Sequence, residues 1–126
     1  MLEQRVAVQL DPGPAAVLHA DADQLEQMFI NLLTNAADAS IANGAKPVRI
    51  GWRIADSFLL VSIEDRGLGI ANTENLFVPF YTTKPTGSGV GLALAQQIAR
   101  AHGGEIRLAN REDVEGARAL VRLPLA

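Results

Sequence analysis

Residues 27–40 read QMFINLLTNAADAS. Phe29, Leu32, Leu33, Ala36 and Ala39 recur at helical spacing, which predicts the core-facing side of an amphipathic helix. Asn31 and Asn35 are four residues apart, so they share a face of that helix, and Asp38 lies close to it. Asparagine inside a helix is roughly 0.6 kcal/mol worse than alanine. Two asparagines on an otherwise apolar helix therefore need a reason. One reading is a solvated polar stripe. The other is a side-chain carbonyl that coordinates Mg²⁺, a cation that takes hard oxygen ligands and keeps several of its waters.

The pattern extends outward on both sides. Upstream, residues 5–10 (RVAVQL) alternate apolar and polar as a half-buried strand does. Asp11, Pro12, Gly13 and Pro14 break it, and residues 17–20 predict a short second strand. Asp21 opens the helix, with Gln24 three residues later in a capping-box pattern. Gly44 and Pro47 stop it. Downstream, Val48, Ile50, Trp52 and Ile54 alternate, as do Leu59, Val61 and Ile63, predicting two strands joined by a hairpin across residues 55–57. Residues 65–91 are rich in glycine, proline and threonine and show no long period. A loop this long in a compact domain is usually functional. Residues 90–101 predict a second helix with Leu92, Ala95, Ile98 and Ala99 on one face, ended by His102, Gly103 and Gly104. Residues 106–109 and 119–125 predict two last strands. The expected fold is an α/β (α+β) two-layer sandwich: a mixed, mostly antiparallel sheet with helices on one face.

The chain has 126 residues, which fits a single domain over residues 1–126. It has no cysteine, which excludes disulfides, thiolate metal sites and thiol nucleophiles. The net charge is −3 with no basic run, so a broad nucleic-acid face is not expected. No apolar stretch approaches a membrane span, and the N-terminus lacks a signal-peptide pattern. The expectation is a cytoplasmic module without membrane contact of its own.

Three further constellations carry possible chemistry. Residues 64–70 read EDRGLGI. This is either an ordinary strand-end turn or a carboxylate, Asp65, set to accept a base amine, with glycines that let a ligand approach the backbone. Residues 77–84 read FVPFYTTK. Phe77 and Phe80 either pin a loop or anchor a lid whose Lys84 reaches phosphates. Residues 87–94 read GSGVGLAL and run into the second helix. They are either merely flexible or an anion site at a helix N-terminus. No Gly-Lys-Ser/Thr follows, and no βαβ unit surrounds the glycines, so neither a Walker loop nor a dinucleotide fingerprint fits.

In order and spacing these four segments resemble the asparagine, first glycine, phenylalanine and second glycine boxes of the histidine-kinase catalytic domain. That domain is a branch of the Bergerat-fold superfamily shared with gyrase, chaperone and MutL ATPases. The resemblance runs from about Val6 to Leu125. It implies that ATP and Mg²⁺ are the cofactors and that Asn35 is the metal ligand. It places Asn31 beside the phosphates and implies that Asp65 accepts from the adenine amine. Gly67, Gly69 and Ile70 would border the nucleotide, and Asp38 would lie near phosphate or metal. Phe80, Thr82, Thr83 and Lys84 would belong to a lid over about residues 71–88. Gly87, Ser88, Gly89, Val90, Gly91 and Leu92 would wrap the phosphates.

The departures are specific. Asp38 stands where many relatives carry a basic residue. The stretch from Ile70 to Phe77 is short. Ala117 and Ala119 stand where a hydroxyl residue and an aromatic are common. The chaperone, gyrase and MutL branches have a glutamate at position 31 to activate water, and the amide of Asn31 cannot act as a general base. The resemblance therefore implies phosphoryl transfer to another acceptor rather than hydrolysis.

The acceptor motif, a His followed by an acid and later by Pro, is absent from this sequence. His19 and His102 lack that setting, and a capping or cationic role at a helix end suits His102. The implied partners are a histidine-containing dimerisation domain of the parent kinase and, indirectly, a response regulator. An anti-sigma-type serine kinase and a non-catalytic nucleotide-binding module of the same fold are the alternatives.

Overall fold

A computed structural model describes residues 6–67, 69 and 91–126. The elements are β1 (Val8–Asp11), α1 (Ala22–Ile41), β2 (Val48–Ala55), β3 (Phe58–Glu64), α2 (Gly91–Ala101), β4 (Glu105–Asn110) and β5 (Ala117–Pro124). The strands form one sheet in the order β1-β2-β3-β5-β4. β1 pairs parallel to β2, with α1 as the crossover, and the other three pairings are antiparallel. This is the expected mixed, mostly antiparallel sheet.

The hairpin between β2 and β3 turns at Asp56 and Ser57, both at positive φ (51° and 65°). Positive φ at both central residues matches the right-handed twist of the flanking strands. Along β5 the inward positions Ala117, Ala119, Val121 and Leu123 are buried, whereas Arg118 and Arg122 are exposed. The period of two thus puts one apolar face under the helices.

α1 begins as its sequence predicts. The Asp21 carboxylate accepts from the Gln24 N–H at 3.1 Å. The reciprocal half of the capping box is not formed. The Asp21 N–H donates instead to His102 Nε2 at 3.1 Å, and His102 Nδ1 lies 2.8 Å from the Ile98 carbonyl. His102 therefore caps α2 and ties it to the start of α1.

The buried residues of α1 are Met28, Leu32, Ala36 and Ser40, spaced by four. The buried stripe is thus rotated slightly from the expected one, and Phe29, Leu33 and Ala39 lie half-buried on its flank. Met28, Leu32, Ala95, Ile98, Ile106, Val121 and Leu123 share one core between helices and sheet. Truncating such a residue to alanine typically costs about 2–5 kcal/mol. Buried Gln96 bonds both backbone groups of Ile106, each at 2.9 Å, and so fastens α2 to the edge strand β4.

One expected strand does not form. Residues 17–20 pair with no strand, and Val17 is 74% exposed. Trp52 Nε1 donates to the Pro14 carbonyl at 2.9 Å, and a Cβ on Gly13 would meet the Trp52 carbonyl at 2.0 Å. Gly13 and Pro14 thus lie against β2, and the bond from the Ala126 N–H to the Val17 carbonyl is a single tie, not a ladder. β1 accordingly runs Val8–Asp11, later than expected; residue 5 lies outside the described residues.

Candidate functional site

α1 meets the start of α2 at Asn31 and the turn after β3 at Ala39. Asn31 is half-buried on α1. Its Nδ2 donates to the Gly91 carbonyl at 3.2 Å, and its Oδ1 accepts from Gln27 Nε2 at 2.8 Å. The first asparagine thus reaches the first residue of α2, where unpaired N–H groups and the positive end of the helix dipole gather. No acidic residue stands in that first turn. Asn35 follows one turn along α1, half-buried, and Asp38 is exposed. Of the three polar residues, Asn31 is the one bonded to the start of α2.

Asp65, the residue after β3, is 5% exposed. Its Oδ1 accepts from the Gly67 N–H at 2.9 Å and from the Ala117 N–H at 3.0 Å. Its own N–H donates to the Ala117 carbonyl at 2.9 Å. These bonds orient the carboxylate through its Oδ1. The Ala117 methyl supplies no hydroxyl, but the Ala117 backbone holds the carboxylate directly.

The turn after Asp65 is closely fitted. A Cβ on Gly67 would come within 2.8 Å of Ala39 Cβ and 2.9 Å of its carbonyl oxygen. Gly69 has φ +89°, a conformation that favours glycine. Buried Ser40 Oγ accepts from the Arg66 N–H at 3.2 Å. Asn43 Nδ2 donates to the Arg66 carbonyl at 2.8 Å and to Glu115 Oε1 at 3.1 Å.

On the opposite side Arg111 Nη1 donates to the Asp65 carbonyl at 3.2 Å. Arg111 also pairs with Asp113, at 3.0 Å from Nη2 and 3.2 Å from Nε, and lies 3.4 Å from Glu64. The Arg111 hydrogen bond holds the Asp113 carboxyl below the ordinary aspartate range.

The structure therefore brings Asn31 to Gly91, and Asp65 to Gly67 and Ala117, with Gly67 against Ala39 farther along α1 and Asn35 one turn along from Asn31. Leu92 is half-buried against the core. Ile70, Phe77, Phe80, Thr82, Thr83, Lys84, Gly87, Ser88, Gly89 and Val90 lie outside the described residues. Ser40, Asn43, Arg111 and Gly116 were not singled out in the sequence. Only Gly116, a glycine just before a strand, carried a local signal, because the others contribute through contacts across more than twenty residues. Among the described residues no three His, Cys, Asp or Glu side chains group as a metal site.

Residues 20–126 match the family model described as histidine kinase-, DNA gyrase B- and HSP90-like ATPase. The signal transduction histidine-protein kinase AtoS of Escherichia coli strain K12 is 43% identical over 95 residues, covering 74% of this chain and 16% of AtoS. The sensor protein FixL of Bradyrhizobium diazoefficiens is 38% identical over 109 residues, covering 82% of this chain and 21% of FixL. The chain thus spans about a fifth of the length of these relatives. The catalytic domain of histidine kinase ThkA superposes with a TM-score of 0.80 at 29% identity, covering 94% of this chain and 78% of that one. Full-length ShkA, solved in complex with AMPPNP, superposes with a TM-score of 0.81 at 26% identity, covering 96% of this chain and 26% of ShkA. The fold is that of a protein-histidine kinase catalytic domain, and the chain belongs to the histidine kinase-, DNA gyrase B- and HSP90-like ATPase family.

Proposed function

We propose that the chain binds Mg-ATP between α1, the end of β3 and the start of α2, and supplies the γ-phosphoryl group to a histidine on a separate dimerisation domain of its parent sensor kinase. The observation that carries this reading is the pair of amides on α1. Asn31, bonded to Gly91 at the start of α2, stands where a hydrolytic relative would need a carboxylate to activate water. The donor set fits the metal: a single neutral oxygen from Asn35, with no carboxylate cluster among the described residues, suits a Mg²⁺ held largely by phosphates and water. Asn35 would help hold the Mg²⁺, which would supply positive charge to offset that of phosphoryl transfer.

The chain's own residues then bind and orient. Asp65 accepts from the base amine, its geometry set by Gly67 and Ala117. Gly67 and Gly69 leave room beside the base and sugar. The first turn of α2, from Gly91, offers N–H groups to phosphate. The resemblance assigns Lys84, Thr82 and Thr83, which lie outside the described residues, to a lid. Asp38, exposed on α1, meets phosphate only through an intervening cation. Phosphoryl transfer of this kind depends on positioning and charge stabilisation. Among the described residues no helix is long and apolar enough to cross a membrane. The reading places this domain in the cytoplasm, with a response regulator downstream.

Mixing the chain with a histidine-bearing helical hairpin and labelled ATP tests the proposal. The expected product is acid-labile phosphate on the hairpin. An acid-stable product points to a serine kinase, and firm ATP binding without transfer points to a non-catalytic module; either result overturns the histidine-kinase reading.

A further inference from the structure

Arg111 is out of place for an ordinary surface residue. It opens the turn between β4 and β5, where Glu112, Asp113 and Glu115 are exposed, yet its own side chain is only 9% exposed. Burying a guanidinium is costly unless it is paired and its donors are used. Arg111 meets that condition by bridging three groups: the Asp113 carboxylate through two nitrogens, the Glu64 carboxylate, and the Asp65 carbonyl through Nη1. A planar fork of five donors can make such a bridge, and a lysine ammonium at the end of a flexible stem does not reproduce it.

Its placement relative to Asp65 is the informative part. β5 holds the Asp65 N–H through the Ala117 carbonyl and the carboxylate through the Ala117 N–H. Arg111 holds the Asp65 carbonyl. The turn that carries Arg111 is closed on itself by its N–H to the Gly116 carbonyl at 2.9 Å. Gly116 in turn lies directly against Asp65, where a Cβ would come within 2.2 Å of the Asp65 oxygen. The strand end before the first glycine turn is thus fixed on every polar group that orients the carboxylate. Small displacements of a group that reads a ligand cost disproportionately, because the ligand hydrogen bond depends on direction as well as distance.

We infer that Arg111 is a positioning residue for nucleotide-base recognition: it locks the Asp65 backbone through the β4–β5 turn, so that the carboxylate selects a purine carrying a 6-amino group. The inference rests on the assignment of Asp65 to the base.

The test compares dissociation constants for ATP and for purine riboside triphosphate, which lacks the 6-amino group, in the wild type and in Arg111→Ala, Arg111→Lys and Asp113→Asn, with thermal unfolding recorded alongside. The wild type is expected to prefer ATP. Arg111→Ala should reduce that preference by roughly tenfold, with smaller reductions in the other two. A residue that only stabilises the fold would lower the melting temperature and leave the ratio of the two constants unchanged. If Arg111→Ala does not fold, Arg111→Lys and Asp113→Asn carry the test. A wild-type preference that survives in every folded variant overturns the role of Arg111. A wild type that binds both nucleotides equally overturns the base assignment itself.

Discussion

Asp65 and Ala117 hold each other reciprocally. The Asp65 N–H donates to the Ala117 carbonyl at 2.9 Å, and the Ala117 N–H donates to the Asp65 carboxylate at 3.0 Å. The second bond uses a side chain where a sheet ladder would use a carbonyl, so the acid is held fixed at the end of β3.

Asp65→Asn should keep the fold and weaken ATP binding. Half of the amide presents donors where the carboxylate accepts, and a hydrogen bond to a charged group contributes about 1.5–3 kcal/mol. Calorimetric titration should show a loss of roughly tenfold to a hundredfold with an unchanged circular dichroism spectrum. Unchanged affinity would remove Asp65 from the base site.

Gly116→Ala attacks the same contact from the other side. At φ +145° an added Cβ would lie 2.2 Å from the Asp65 oxygen and 3.0 Å from its carbon. Backbone strain and overpacking together should cost about 2–4 kcal/mol, read as a lower urea midpoint. A midpoint equal to wild type would mean that the turn relaxes freely.

Asn35→Ala should separate coordination from packing. Titrating nucleotide with and without Mg²⁺ should show the metal-dependent component weakened on the order of tenfold while metal-free binding persists. Equal losses in both conditions would assign Asn35 to packing.

Gln96→Leu keeps the volume but strands the N–H and carbonyl of Ile106, which now bond Gln96 at 2.9 Å each. Two unpaired buried groups should destabilise by about 2–4 kcal/mol. Equilibrium unfolding measures it; a change below the error of the fit would show that β4 finds other partners.

Asp113 supplies the pH dependence. Its carboxyl is held below the ordinary value of 3.8, first by the Arg111 hydrogen bond. A depressed folded-state value contributes stability that is present above 3.8 and lost as pH falls through the lower folded value. The gap in melting temperature between wild type and Asp113→Asn should therefore be constant at neutral pH and close below 3.8. The group is exposed, so the gap is small. A gap that widens on acidification would reverse the assignment.

The sequence by itself determined the elements whose signals are local. The period along residues 27–40 placed α1 and its asparagine face. Alternation placed β2 and β3, and Asp21 placed the helix start, because each depends on residues within a turn or a pair of strands. It also named Asp65, Gly67 and Gly69 through their order along the chain. Residues 17–20 were expected as a short strand, but only the tertiary structure showed that they pair with no strand, while Gly13 and Pro14 before them lie against Trp52 of β2. Only the tertiary structure, likewise, turned the Asn31 amide toward Gly91 and used His102 to join the two helices. It alone brought Arg111 from forty-six residues away onto the Asp65 carbonyl. A hydrogen bond across that separation leaves no period in the sequence. Its energy depends on an angle and a distance that exist only once the sheet has closed.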